Sequence, residues 1–97
     1  MEKDSLDLIC HKLDIQASID SISEEQFLLV LQNQVSHMLL FEFEKLMQIL
    51  YRMDINEGKV QTIINFQTRE QWPDAIARLI LEREKERIFW REKYKNL

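Results

Sequence analysis

One glycine, Gly58, and one proline, Pro73, occur in 97 residues, where average usage would supply about 7 and 5. Positive backbone φ and close approach of backbone to a ligand are tasks for glycine. Hairpin turns, phosphate-cradling loops and dinucleotide-binding turns therefore have nothing to be built from. Helix is what remains. Hydrophobic residues make up 45% and charged residues 31%, the composition of a packed chain rather than a disordered one. A chain of this length buries on the order of 60 to 65% of its unfolded surface, enough for one modest core. The expected fold class is all-α, as a single compact domain over residues 1–97.

Ser5 reads as the N-cap of a first helix over about 5–18, with Leu6, Ile9, Cys10 and Leu13 at helical spacing. Ser23-Glu24-Glu25-Gln26 has capping-box grammar, Ser23 accepting from the N3 amide and Gln26 reaching back. Nothing from there to Met53 breaks a helix, so the second helix is expected over about 24–53, roughly 45 Å long. It is either one central helix or two that meet at a kink near Leu40 to Phe43. Asp54-Ile55-Asn56-Glu57 repeats the grammar, with Asp54 as N-cap and Glu57 at N3 of a third helix over about 55–66. Gly58 falls in its first turn, and Val60, Ile63 and Ile64 give it an inward face. After a loop over 68–72, Pro73 and Asp74 suit the first turn of a fourth helix over about 73–94. The expectation is a compact four-helix domain with the second helix as its spine.

The informative places are those where a helix face breaks its own pattern. At 100° per residue, Phe27, Leu31, Val35, Met38, Phe43, Leu46, Ile49, Leu50 and Met53 fall with their neighbours within about 160°, and Glu42 lies in the middle. Either the helix kinks and releases this carboxylate to solvent, or the carboxylate is buried and needs a partner, since an unpaired buried charge costs several kcal/mol. A second apolar set, Leu29, Leu40, Met47 and Tyr51, implies neighbours on two sides, one of which could be another copy of the chain. In the last helix Trp72, Ile76, Leu79, Ile80, Trp90, Tyr94 and Leu97 form a stripe that also contains Arg83 and Arg87. The arginine stems either cover the core edge with their heads in water, or the heads are fixed donors: to Glu42, to a dimer interface or to an anion. Arg87 is also spaced to stack on Trp90.

No catalytic, cofactor or metal site is evident. His37 and Glu44 lie about 10 Å apart along a helix, the H-E-x-x-H spacing is absent, and one Cys with two His cannot complete a structural zinc site. Cys10 reads as a core residue, the serines lack the glycines of a nucleophile elbow, and Asp54 and Glu57 are explained by capping. The single Cys10 cannot form an internal disulfide, no apolar h-region follows the first residues, and no apolar run approaches the ~20 residues of a span. The expected location is therefore the cytoplasm.

A net charge of −4 argues against general nucleic-acid binding, yet its distribution is uneven. Residues 1–77 carry 6 basic against 13 acidic side chains, a net of −7, and residues 78–97 carry 7 against 4, a net of +3. An acidic body ends in a basic, aromatic helix.

Phe43, the run from Lys45 to Ile55, Glu57, and the later Ile76-Ala77-Arg78-Leu79-Ile80-Leu81-Glu82-Arg83 resemble a group of short, uncharacterised bacterial all-α proteins. In these a leucine-tyrosine-arginine-isoleucine-aspartate block precedes an isoleucine-alanine, leucine-isoleucine, glutamate-arginine segment; Met53 departs from the isoleucine of that pattern. The resemblance covers about half of the chain and implies a compact helical domain from a bacterial source. It brings no activity, and no functional residue carries over from it.

The expected function is a non-enzymatic protein–protein interaction or adaptor domain, a homodimer or the partner of another protein, with no small-molecule substrate. Its candidate residues are Glu42, Arg83, Arg87, Trp90 and Tyr94. The alternative is a regulatory nucleic-acid binder using the basic C-terminal helix.

Overall fold

The computed structural model describes residues 3–16 and 22–95. Among them all regular structure is helical: α1 Lys3–Lys12, α2 Glu24–Phe41, α3 Phe43–Arg52, α4 Glu57–Phe66, a single 3₁₀ turn Arg69–Gln71, and α5 Trp72–Lys95. Five α-helices stand where four were expected, because the segment 24–53 is two helices. The longest is α5, not the second. At 24 residues it extends about 36 Å, close to the 41 Å long axis of the molecule.

α5 is the spine, packing against both α2 and α4. Gln32 Nε2 of α2 donates to Asp74 Oδ1 at the start of α5, and Glu24 of α2 pairs with Lys85 further along. Falling α2 numbers meet rising α5 numbers, so the two helices are antiparallel. Phe27, Leu31, Val35 and Met38 of α2 are buried with Ile76, Ala77, Ile80 and Leu81 of α5, and Leu6, Ile9, Cys10 and Leu13 of α1 join the same core.

The start of α2 is the expected capping box: Gln26 N donates to Ser23 Oγ (3.1 Å) and Ser23 N to Gln26 Oε1 (2.9 Å). Its end lies inside the expected window. The buried stripe of α2 advances by three or four residues to Met38, and the next position in phase is Glu42. There the backbone leaves the helix, with φ −141° and ψ 47°, and the stripe restarts at Leu46 in α3. Glu42 sits at the corner, half-exposed and 4.0 Å from Lys45. No proline or glycine is needed to break the helix there, since continuing it would desolvate a carboxylate.

α1 and α3 end on the same device. Asp14 (φ 55°) and Asp54 (φ 63°) occupy the left-handed region, and the chain folds back through Ile15 N to Cys10 O (2.8 Å) and Ile55 N to Leu50 O (3.1 Å). Each is a Schellman motif with aspartate where glycine is usual. The carbonyl just before each aspartate accepts from the neighbouring helix, Leu13 O from Gln34 Nε2 (2.7 Å) and Met53 O from Arg83 Nε (3.2 Å). Two expectations are corrected by this. The first helix stops at Lys12 rather than near residue 18, and its start at Lys3 puts Ser5 inside it rather than at its N-cap. Asp54 closes α3 instead of opening the next helix. The N-cap of α4 is Asn56, whose Oδ1 accepts from Lys59 N (3.2 Å). Gly58 leaves that cap room, since a Cβ there would stand 3.0 Å from Asn56 Oδ1 and press on it.

A non-glycine residue at positive φ carries strain, so Asp54→Gly should raise the stability by about 0.5–1 kcal/mol in urea unfolding. Asp14→Gly should gain less, because the Asp14 carboxylate accepts from Lys45 Nζ at 2.7 Å. That hydrogen bond and the charge of Lys45 hold the Asp14 carboxyl below the ordinary carboxylate range. Its folded pKa is depressed, so its contribution is present above about pH 4 and is lost as pH falls through the folded value. Acid titration of Asp14→Asn should show that small, salt-sensitive component removed.

Candidate interaction surface at the end of α5

The five candidate residues do not form one cluster. Glu42 is at the α2–α3 corner beside Lys45. Arg83 reaches α3, donating through Nε to Met53 O and standing 3.8 Å from Asp54, with Glu86 at 3.7 Å on its other side. Arg87 does not meet Glu42. Its guanidinium forks onto Glu84 one turn earlier, with Nε 3.1 and 3.2 Å from Oε1 and Oε2, and Nη2 2.5 Å from Oε1. Nor is Arg87 the cation over Trp90; Lys93 Nζ sits 5.1 Å from that ring's centroid. Both arginines are fixed donors, to partners the sequence did not single out.

Glu84 is the residue that sequence reasoning missed. It is 1% exposed and is the one buried charged residue among those described. The signal was present. With Ala77 and Leu81 placed beside Ile76 and Ile80, the buried face of α5 is centred about 70° around the helix from Ile76, close to the position of Glu84 at 100° per residue. A carboxylate there is tolerable only with a bidentate partner, and Arg87 supplies it from the edge of the core. The hydrogen bond to Glu84 raises the Arg87 pKa above its usual value.

Beyond Lys85 the spine outlasts its neighbour, because α2 begins at Glu24. The stripe of Ile76 and Ile80 continues through Arg87, Trp90 and Tyr94, all within about 80° at 100° per residue. Ile76 and Ile80 are fully buried in the core. Past that point Trp90 is 47% and Tyr94 67% exposed, with Phe89 beside them at 60%. Phe89 meets Trp90 edge-on at 5.5 Å, and the Trp90 and Tyr94 rings lie 6.1 Å apart. Lys93 and Lys95 make the last turn basic. This is an aromatic ladder flanked by cations.

The second apolar set divides. Met47 is half-buried against the core, whereas Leu29, Leu40 and Tyr51 are exposed, as are Phe41 and Phe43 at the α2–α3 corner. His37 packs on Phe41 at 5.1 Å. Burial raises the pKa of Cys10, the direction of an unreactive thiol. Among the described residues no group of three or more His, Cys, Asp or Glu is placed to hold a metal ion, and no helix is long and apolar enough to cross a membrane. No protein-family model matches the chain, and no curated protein or solved structure does either.

Arg87→Met leaves the Glu84 carboxylate buried without its fork and should cost about 2 kcal/mol in chemical denaturation. The cost falls below that of breaking a fully buried pair because the Arg87 side chain is 40% exposed. Glu84→Leu combined with Arg87→Met should recover most of that loss, because no buried charge then remains.

Proposed function

We propose that this chain is a cytoplasmic protein–protein interaction domain without catalytic activity, an adaptor that self-associates through the end of α5. The observation that carries this reading is the stripe of α5 itself. Trp90 and Tyr94 continue the Ile76–Ile80 edge of the face that packs the core, and they lie in solvent. Three aromatic side chains exposed by about half or more amount to on the order of 300 Å² of apolar surface. A contiguous patch of about that size is comparable to the largest one a typical monomer exposes, and such patches are often functional. Tryptophan and tyrosine are also among the side chains that dominate binding at protein interfaces.

The basic character of the last twenty residues supports the alternative, a regulatory nucleic-acid binder, less well. Glu82, Glu84, Glu86 and Glu92 interrupt the basic side chains, and Arg83 and Arg87 are already engaged within the chain. The two readings separate in solution. Sedimentation equilibrium should show a concentration-dependent dimer whose Kd rises at least tenfold in Trp90→Ala/Tyr94→Ala, with unchanged helicity. Salt-dependent binding to RNA or DNA by a chain that stays monomeric would favour the alternative instead.

A further inference from the structure

We propose that the end of α5 docks into the hollow between α3 and α4 of a second copy of this chain, with Trp90 inserted and Lys93 and Lys95 facing Glu44 and Glu57. This docking rests on the self-association reading above and names the surface that receives α5.

The receiving surface is built from the second apolar set of α3. Met47 and Tyr51, with Leu50, Ile55 and Val60, line a hollow of about 290 Å³ between α3 and α4, and Glu57 stands at its rim. A cavity of ~150 Å³ takes a benzene ring, so this one has room for an indole. No side chain of α5 lines it, and a chain's own Trp90 therefore leaves it open. Tyr51, 73% exposed, gains here a use that the core does not give it.

Charge selects the occupant. Glu44 stands three residues before Met47 and seven before Tyr51, on the same line of α3. Among the described residues neither Glu44 nor Glu57 has an ion-pair partner, and none that lines the hollow is basic. An apolar hollow edged by two unused carboxylates is complementary to aromatic side chains that carry cations beside them. The end of α5 has that chemistry. Phe89, Trp90 and Tyr94 are exposed, Lys93 and Lys95 make the turn basic, and Lys93 lies over the Trp90 ring. The larger hollow between α2 and α5, about 720 Å³, has Arg78 and Lys85 on its walls, cations that a lysine-bearing segment would face.

Placement lets the contact close. Arg83 Nε reaches Met53 O at 3.2 Å, and Met53 falls between Tyr51 and Ile55 of the hollow in the sequence. Trp90 is seven residues, about 10 Å, further along α5. The end of α5 and the hollow are thus neighbours on one molecule. A two-fold axis passing between them seats each α5 end on the other copy's hollow, and the pair closes as a dimer rather than growing into a filament. Each aromatic end offers on the order of 300 Å², and a docked surface buries a comparable area of its partner. Two such contacts bury on the order of 1,200 Å², the lower end of specific interfaces.

The test is a charge exchange in the full chain, read by sedimentation equilibrium. Glu44→Lys/Glu57→Lys and Lys93→Glu/Lys95→Glu should each raise the dimer Kd about tenfold. An equimolar mixture of the two, or all four changes in one chain, should restore it. All four side chains are exposed, and circular dichroism checks that each variant stays helical. Glu44→Gln/Glu57→Gln, which only removes the charges, should weaken the dimer by a smaller factor. Cross-linking reads the position independently. Cys10 is buried, so introduced cysteines are the reactive thiols. Gln61→Cys, at the edge of the hollow, mixed with Lys93→Cys should form the mixed disulfide at least tenfold faster than Glu25→Cys mixed with Lys93→Cys. A dimer indifferent to Glu44 and Glu57, or one in which Gln61→Cys and Glu25→Cys cross-link equally, overturns docking into the α3–α4 hollow while self-association stands. A wild-type chain that remains monomeric overturns both, and its salt-dependent binding to RNA would then identify nucleic acid as the occupant of the α5 end.

Discussion

The seam between α2 and α5 is the contact on which the remaining elements depend. It is pinned at Gln32–Asp74 and at Glu24–Lys85, and between these points Phe27 and Leu31 of α2 are buried with Ile76, Ala77, Ile80 and Leu81 of α5. Its length sets what is core and what is surface. α3 folds back from the corner at Glu42 and ends under Arg83 of α5, and α4 packs against α5 as well. The final turns of α5 extend past the Glu24–Lys85 pair and leave Phe89, Trp90 and Tyr94 exposed.

Charge placement does the work that glycine and proline would do in a more usual chain. α2 stops where its apolar stripe arrives at the Glu42 carboxylate, and α1 and α3 stop on aspartates at positive φ. Aspartate tolerates that region better than most residues, and its side chain can also be used; here Asp14 is held by Lys45 and Asp54 lies near Arg83. The block Leu50-Tyr51-Arg52-Met53-Asp54-Ile55 is therefore a helix stop. Leu13-Asp14-Ile15 repeats it at the end of α1.

Much of the fold was legible from residues alone. The Ser23 capping box, the first-turn position of Pro73 and the corner near residues 40–43 follow from local chemistry, and local chemistry decided them. Aspartate was the ambiguous letter, since the same side chain that caps a helix start also tolerates the left-handed turn at a helix stop. Only the return hydrogen bonds to Cys10 and Leu50 distinguish the two uses. The site was half legible. Arg83 and Arg87 stand out as charges in an apolar stripe, but their acceptors are a carbonyl thirty residues away and a glutamate that reads as surface until Ala77 and Leu81 rotate the buried face onto it. Trp90 and Tyr94 are in line with Ile76 and Ile80 at the edge of the buried face, and nothing in their spacing says that the core ends before them.

The central claim is that the end of α5 is a packing face waiting for a helix. Hydrogen exchange along α5, read by mass spectrometry at low and high protein concentration, tests it most directly. Amides around Ile76 to Glu84 should be protected at both concentrations, because α2 covers them in the single chain. Those of residues 88–95 should exchange quickly in dilute protein and become protected as concentration rises. Unchanged protection of 88–95 across that range, whether fast or slow, would contradict the claim.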